Sequence, residues 1–166
     1  MNSSPEYKLS KLLKETDYKL VLAESCTGGL VSHLITNVPG SSDYFLGSVI
    51  TYSNKVKNLI LGVKEETLSK YGAVSKETVL EMAENVRRLF SQKYTTDKII
   101  GASISGIAGP DGGSDEKPVG LVWIGISHEE HNSAHKYLWC GSREENKIKS
   151  AIQCLDLINC LIQETI

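Results

Sequence analysis

VLAESCTGGL, residues 21–30, is the stretch in which an apolar run ends at small polar residues and an amphipathic run begins. The residues from Tyr18 to Ala23 are rich in β-formers, which predicts a strand ending at Glu24. Apolar residues then recur at helical spacing, so we predict a helix from about Thr27 to Thr36. Ser25 therefore lies at a strand-to-helix turn, beside backbone N–H groups that carry partial positive charge and can hold an anion or an oxyanion.

The same segment also has a purely structural interpretation. Ser25 or Thr27 would cap the helix, and Gly28 and Gly29 would let it pack closely against the strand. The segment alone leaves both interpretations open.

The whole chain has the size and composition of one globular domain. Its 166 residues are 40% hydrophobic and 23% charged, and a chain of this length can bury about 70% of its unfolded surface. We therefore predict a single domain over residues 1–166. No segment has the apolar length needed to span a bilayer, and the N-terminus lacks the pattern of a signal peptide, so we expect a cytoplasmic protein without membrane contact.

Charge and cysteine spacing exclude two classes of partner. The formal net charge is -2 and the lysines are scattered among acids, which does not fit a nucleic-acid-binding surface. The four cysteines show neither CxxC pairing nor zinc-ribbon spacing, so we expect reduced thiols packed mostly in the core. His128, His131 and His135 fall in a predicted turn without an HExxH pattern, and no metal site is predicted there.

Helices and strands alternate along the first two thirds of the chain, and a predicted antiparallel hairpin follows. This order predicts an α/β fold, a three-layer α/β/α sandwich with a mixed, mostly parallel sheet of about five strands. We predict further helices over Pro5–Thr16, Lys55–Leu61, Glu65–Tyr71, Ser75–Phe90 and Ser142–Gln163, and further strands over Tyr44–Tyr52, Asp97–Ile104, Pro118–Ser127 and Ala134–Cys140, the last two joined by a turn at His128–Ser133.

Three segments rich in polar and small residues follow the first three predicted strands. They are Ser25–Gly29, Tyr52–Lys57 and Ser105–Ser114. Loops at the carboxyl ends of parallel strands meet at one edge of a sheet, so we expect these segments to form one pocket.

A serine nucleophile needs a base, and no histidine is well placed to serve Ser25. Lys57 is the better candidate, because desolvation lowers the pKa of a lysine toward neutrality. Tyr52 could pass the proton or hold the hydroxyl network. The alternative is that Lys57 is an ordinary exposed helix lysine like Lys55. Cys26 could replace Ser25 as the nucleophile, but without a histidine partner a buried, inert thiol is favoured.

The glycine-rich loop Ser105–Ser114 has three possible roles: a plain connection, a phosphate cradle, or a platform for substrate and oxyanion. It lacks the Gly-Lys-Ser/Thr ending of a Walker loop, which disfavours an NTPase. Arg143, at the start of the last helix, is the candidate cation for a substrate phosphate.

Five segments, taken in order and spacing, resemble the CinA C-terminal domain family, and the GIAGPDGG block is the most specific of them. They are AESCTGG at 23–29, PGSSDYF at 39–45, TYSNKVK at 51–57, GAVS at 72–75 and SISGIAGPDGGSDEKPVGLVW at 103–123. Stand-alone members of this family are nicotinamide-nucleotide amidohydrolases with a three-layer α/β/α fold.

The resemblance implies a hydrolase without metal or other cofactor that deamidates nicotinamide mononucleotide to nicotinate mononucleotide and ammonia. The family's catalytic serine, lysine and tyrosine match Ser25, Lys57 and Tyr52. We expect the small-molecule substrate as the main partner, and a homo-oligomer. The predicted substrate-binding residues are Cys26, Thr27, Gly28, Ser105, Gly106, Gly109 and Arg143.

The chain departs from the family pattern at Ser142, which stands where the family's Gly-Asp-Arg element has its acid. If the acid orients Arg143, phosphate affinity would be lower here. Larger members carry a further pyrophosphatase-like domain, and some are described by roles in competence or DNA damage. The alternative function is therefore a nucleotide-binding or regulatory module without deamidase activity.

Overall fold

The computed structural model describes residues 4–94, 98–129 and 131–165. In chain order its elements are α1 (Pro5–Thr16), β1 (Lys19–Glu24), α2 (Leu30–Thr36), a 3₁₀ turn (Ser41–Asp43), β2 (Phe45–Ile50), α3 (Asn54–Leu61), α4 (Glu65–Tyr71), α5 (Lys76–Ser91), β3 (Ile99–Gly106), β4 (Leu121–His128), β5 (His131–Leu138) and α6 (Arg143–Thr165). None of the helices in these ranges is both long and apolar enough to cross a membrane.

The five strands form one sheet in the order β2-β1-β3-β4-β5. β1 pairs in parallel with β2 and with β3, whereas β4 is antiparallel to both β3 and β5. β5 therefore runs in the same direction as the first three strands, and only β4 opposes them. The mixed, mostly parallel sheet predicted from the sequence is confirmed.

Helices cover both faces of this sheet, because the side chains of β1 point alternately to two buried cores. Leu20 and Leu22 pack with α1, α2 and α6 on one face, and Val21 and Ala23 pack with α3 and α5 on the other. The three-layer α/β/α sandwich is confirmed.

α5 packs directly against small residues of β3 and β4. A Cβ at Gly101 would collide with the carbonyl oxygen of Ala83, and one at Gly125 with that of Val79. Between them, Ser103 Oγ donates a hydrogen bond of 2.6 Å to the same Val79 carbonyl. Glycine and serine therefore set the distance between this helix and the sheet.

The predicted helix after β1 began too early, since α2 starts at Leu30 and residues 25–29 form a turn. The strand predicted from Asp97 runs from Ile99 to Gly106, and Asp97 itself lies outside the described residues. The other helices lie within one or two residues of their predicted starts.

The predicted antiparallel hairpin is confirmed, but the turn predicted over His128–Ser133 is too long, because His128 pairs directly with His131 and β5 begins there. β5 is an edge strand with an exposed face, so its first polar residues can belong to the strand. The expected burial of the cysteines holds for only two of them, since Cys26 and Cys154 are buried while Cys140 and Cys160 are exposed; all four are free thiols.

Candidate active site

The three segments predicted to meet do form one pocket, at the carboxyl ends of β1, β2 and β3. The cavity has a volume of about 260 Å³ and is lined by Ser25 and Cys26, by Tyr52 and Lys57, by residues 105–109, and by Arg143 from the start of α6. β4 runs in the opposite direction, but β5 again ends at this edge and leads into α6. The start of α6 therefore lies next to the pocket.

Lys57 is buried at the bottom of this pocket and contacts the predicted nucleophile. It is only 1% exposed, and its Nζ lies 2.9 Å from Ser25 Oγ and 2.8 Å from the Thr51 carbonyl oxygen. Burial lowers the pKa of Lys57 to about 8. Within the described part of the chain Lys57 forms no ion pair that would favour its charged form.

The local fold explains how a helical lysine reaches a serine at the end of another strand. β2 stops at Ile50, and α3 starts at Asn54 after an N-cap at Ser53, whose Oγ accepts a hydrogen bond from the Val56 N–H. The break between strand and helix turns Lys57 inward, whereas Lys55 on the same helix is exposed. The alternative of an ordinary solvated lysine at position 57 is therefore wrong.

Glu24, which the sequence reasoning did not single out, organises the turn that carries Ser25. Its side chain is fully buried and accepts hydrogen bonds from the Thr27 hydroxyl at 2.6 Å, from the N–H groups of Gly29, Val31 and Ser32 at 2.9, 3.2 and 2.9 Å, and from the Ser32 hydroxyl at 2.6 Å. The signal for this role was the acidic residue at the end of an otherwise apolar strand, directly before a helix.

The Glu24 carboxylate also changes the prediction for the oxyanion. The N–H groups at the start of α2 were expected to hold it, but they already donate to Glu24. Cys26 lines the pocket, and its N–H group donates to no backbone carbonyl within the described residues, so this amide is the available donor next to Ser25. Thr27 and Gly28, which were predicted to bind the substrate, do not line the pocket, and Gly28 adopts a φ of 62° in the turn.

The Cys26 thiol lines the pocket but is a poor nucleophile. Burial raises its pKa to about 12, although the positive charges of Lys57 and Lys147 act in the opposite direction. A thiol with so high a pKa stays protonated at physiological pH. This favours Ser25, whose hydroxyl lies beside an amine.

Arg143 reaches the mouth of the pocket and joins two of its walls. Its Nη1 donates to the Gly109 carbonyl oxygen at 2.7 Å and its Nη2 donates to the Tyr52 hydroxyl at 2.8 Å. Tyr52 is 60% exposed, and its hydroxyl has no hydrogen bond to Ser25 or Lys57 in the described structure. The structure thus brings Tyr52 into the predicted pocket but places its hydroxyl on Arg143.

The glycine-rich loop is fixed from below by its own residues Ser105 and Gly106 and by Asn146, which the sequence reasoning missed. A Cβ at Gly106 would approach Val122 Cγ2 to 2.6 Å, and the Ser105 hydroxyl donates to the Ala73 carbonyl oxygen at 2.8 Å. The buried amide of Asn146 donates to the carbonyl oxygens of Ala108, at 3.1 Å, and Gly141, at 3.0 Å. Asn146 therefore ties the loop to the start of α6.

Ser142 has a clear role in place of the acid of the family pattern. Its Oγ accepts from the Glu145 N–H at 3.3 Å, and Glu145 Oε2 accepts from the Ser142 N–H at 2.7 Å. This is a capping box, and the spacing Ser-x-x-Glu was its visible signal. Farther along α6, Ile148 and Ile152 are 42% and 38% exposed, whereas Cys154 and Ile162 are buried.

The histidines lie elsewhere. His128 and His131 pair at the opposite edge of the sheet, where β4 ends and β5 begins. Across residues 4–94, 98–129 and 131–165, no group of three or more His, Cys, Asp or Glu side chains is arranged to hold a metal ion.

Comparison with known proteins agrees with the fold and with the family resemblance. A family model described as the CinA C-terminal domain matches residues 2–162. A CinA-like protein from Thermotoga neapolitana is 46% identical over 154 residues, which are 93% of this chain and 36% of that protein. The chain spans about a third of the length of the curated relatives it matches.

Solved structures show the same architecture. A competence-damaged protein (CinA) superfamily protein from Klebsiella pneumoniae has a TM-score of 0.89 at 26% identity, with 96% of both chains covered. The competence/damage inducible protein CihA from Agrobacterium tumefaciens has a TM-score of 0.85 at 31% identity, with 97% of this chain and 99% of that chain covered.

Proposed function

The chain belongs to the CinA C-terminal domain family, and from this premise we propose that it is an amidohydrolase that converts nicotinamide mononucleotide to nicotinate mononucleotide and ammonia. The observation that carries the proposal is the contact of 2.9 Å between Ser25 Oγ and the buried Nζ of Lys57. A hydroxyl beside an amine with a pKa of about 8 is an activated nucleophile, which amide hydrolysis requires and mere nucleotide binding does not.

In the proposed first half-reaction, the neutral amine of Lys57 accepts the hydroxyl proton of Ser25 as Oγ bonds to the carboxamide carbon. The carbonyl oxygen becomes an oxyanion, and the N–H group of Cys26 donates to it. The Lys57 ammonium then gives its proton to the leaving nitrogen, the C–N bond breaks, and ammonia departs from an acyl-serine ester.

In the second half-reaction, water attacks the ester carbon while Lys57 takes one of its protons. The bond from carbon to Ser25 Oγ breaks, the proton returns to Oγ, and the new carboxyl group gives its remaining proton to water, so nicotinate mononucleotide leaves as a carboxylate. Arg143 binds the substrate phosphate at the mouth of the pocket. Tyr52 holds the Arg143 guanidinium, and a further role in proton transfer remains a prediction.

The test is ammonia release from nicotinamide mononucleotide by the purified chain, with and without a chelator. We expect turnover that the chelator does not change. Ser25→Ala and Lys57→Met should each lower kcat by about 10³-fold or more, because each removes a group that acts in the bond-making step. Lys55→Met, on the exposed side of the same helix, is the matched control and should keep wild-type turnover. Wild-type ammonia release by Ser25→Ala would contradict the proposal.

The names of the solved relatives, which refer to competence and damage, favour a second candidate, a regulatory module that binds a nucleotide without hydrolysing it. Binding of nicotinamide mononucleotide without ammonia release would support that candidate. For either function we propose the cytoplasm as the location, which subcellular fractionation would test.

A further inference from the structure

A second cavity adjoins the catalytic pocket, in the gap between the start of α2 and the first turns of α6. It has a volume of about 410 Å³ and is lined by Leu30, Arg143, Glu144, Lys147 and Ile148. Arg143 lines both cavities, so a ligand that occupies the catalytic pocket can extend past this side chain into the second one.

Two cations face this cavity without a carboxylate partner. Arg143 and Lys147 are four residues apart and so lie on the same side of α6. Neither forms an ion pair in the described ranges, and the two acceptors held by Arg143 are neutral oxygens. In a chain with a net charge of -2, two neighbouring cations without an ion-pair partner beside a cavity favour a multiply charged anion.

The charge of Lys147 also reaches the catalytic pocket. This charge acts to lower the pKa of the thiol of Cys26, which directly follows the nucleophile in the chain. Lys147 is partly buried, whereas Lys149 two residues later is exposed. Lys147 therefore differs from Lys149, the other lysine of the same helix, in both its position and its exposure.

We propose that the cavity between α2 and α6 is a phosphomonoester subsite, in which Lys147 and Arg143 together hold the 5′-phosphate of the substrate. A phosphomonoester carries a charge of about -1.5 to -2 near pH 7 and three acceptor oxygens, which match two adjacent cations. The amino end of the long helix α6 adds a favourable field. Glu144 is the opposing charge on the cavity wall. The proposal rests on the proposed function for the identity of the ligand, and it assigns Lys147 a role in specificity.

Calorimetric binding of nicotinamide mononucleotide and of nicotinamide riboside, which lacks the phosphate, tests the subsite. Ser25→Ala protein serves as the background so that no turnover interferes. Adding Lys147→Met should weaken mononucleotide binding by about tenfold and leave riboside binding within about twofold, because only the phosphate contact is lost. Unchanged riboside binding also shows that the variant is folded.

Two further variants on the same Ser25→Ala background test whether the effect is specific to Lys147. Lys149→Met is the matched control and should change neither affinity. Glu144→Gln should tighten mononucleotide binding, because it removes the opposing charge. Equal weakening by Lys147→Met and Lys149→Met, or equal loss of both ligands in Lys147→Met, would overturn the subsite.

The outcomes separate this proposal from the proposed function. If the wild-type chain releases no ammonia but the phosphate-dependent loss in Lys147→Met is observed, the subsite holds and the amidohydrolase assignment fails. If Lys147→Met protein with Ser25 intact deamidates the mononucleotide with wild-type kcat/KM, the assignment holds and the subsite fails. If the Ser25→Ala background binds neither ligand, the subsite is wrong.

Discussion

At the scale of single residues, the amine of Lys57 is withdrawn from water without receiving a carboxylate partner. Its two contacts are the Ser25 hydroxyl and the Thr51 carbonyl oxygen, and neither compensates a full charge as an anion would. Desolvation therefore lowers the pKa to about 8, from which the pH dependence of the proposed reaction follows.

The base must be neutral, so kcat/KM for nicotinamide mononucleotide should rise with pH and level off above about pH 8. The rate constant rises with pH because the neutral form of a lysine is populated above its pKa. Initial rates between pH 6 and pH 10 would measure the profile, and Lys55→Met should reproduce it. A profile that is flat below pH 8, or one that rises only above pH 10, would exclude Lys57 as the base.

Glu24 is a second residue whose burial has a functional consequence. Its carboxylate faces only donors, so the amide in Glu24→Gln would place an N–H₂ group against N–H and O–H groups. We expect a loss of about 3 kcal/mol in the free energy of unfolding. We also expect kcat/KM to fall at least about tenfold, because the turn holding Ser25 shifts.

Denaturant titration and ammonia release would measure both effects. The control is Glu84→Gln, which removes the charge of an exposed ion pair with Arg88 and should cost less than about 1 kcal/mol. Equal behaviour of the two variants would show that the buried carboxylate has no special role.

At the scale of elements, the position of α5 depends on glycine. A Cβ at Gly125 would meet the backbone of Val79, with the carbonyl carbon at 2.7 Å, and a helix backbone cannot rotate out of the way as a side chain can. Gly125→Ala should therefore lower the free energy of unfolding by about 1–3 kcal/mol.

Gly141→Ala is the matched control, because its new Cβ would meet only side-chain atoms of Glu145 and Asn146, at 3.0 to 3.1 Å. Urea denaturation of both variants would make the comparison. A Gly125→Ala protein as stable as wild type would mean that α5 can move away from the sheet at no cost.

The elements also show what a linear pattern can and cannot predict. Apolar residues at helical spacing predicted α1 and α5, and an apolar run of β-formers predicted β1. The order of helices and strands predicted the three layers of the sandwich. The start of α2 was predicted too early because the Glu24 side chain, not the backbone, occupies its first amides. The start of β5 was predicted too late because an edge strand tolerates polar residues on its open face.

At the scale of the whole molecule, the topology predicted the meeting of Ser25 with Lys57, because the carboxyl ends of parallel strands share an edge. It could not predict that the Tyr52 hydroxyl contacts Arg143 or that Asn146 supports the glycine-rich loop. Those contacts depend on how α6 returns to the sheet, which no local pattern encodes. The homo-oligomer stays a prediction, and sedimentation velocity would measure it.

Arg143 follows Ser25 and Lys57 by many residues in the chain, so the pocket residues are synthesised at different times. The nucleophile and the amine are translated early, and the guanidinium enters the pocket only with the last helix, which also covers α1. A nascent polypeptide that has left the ribosome only through β5 holds the first two groups without the third. Under the proposed function, the cation that binds the substrate phosphate is therefore translated after the nucleophile and its base.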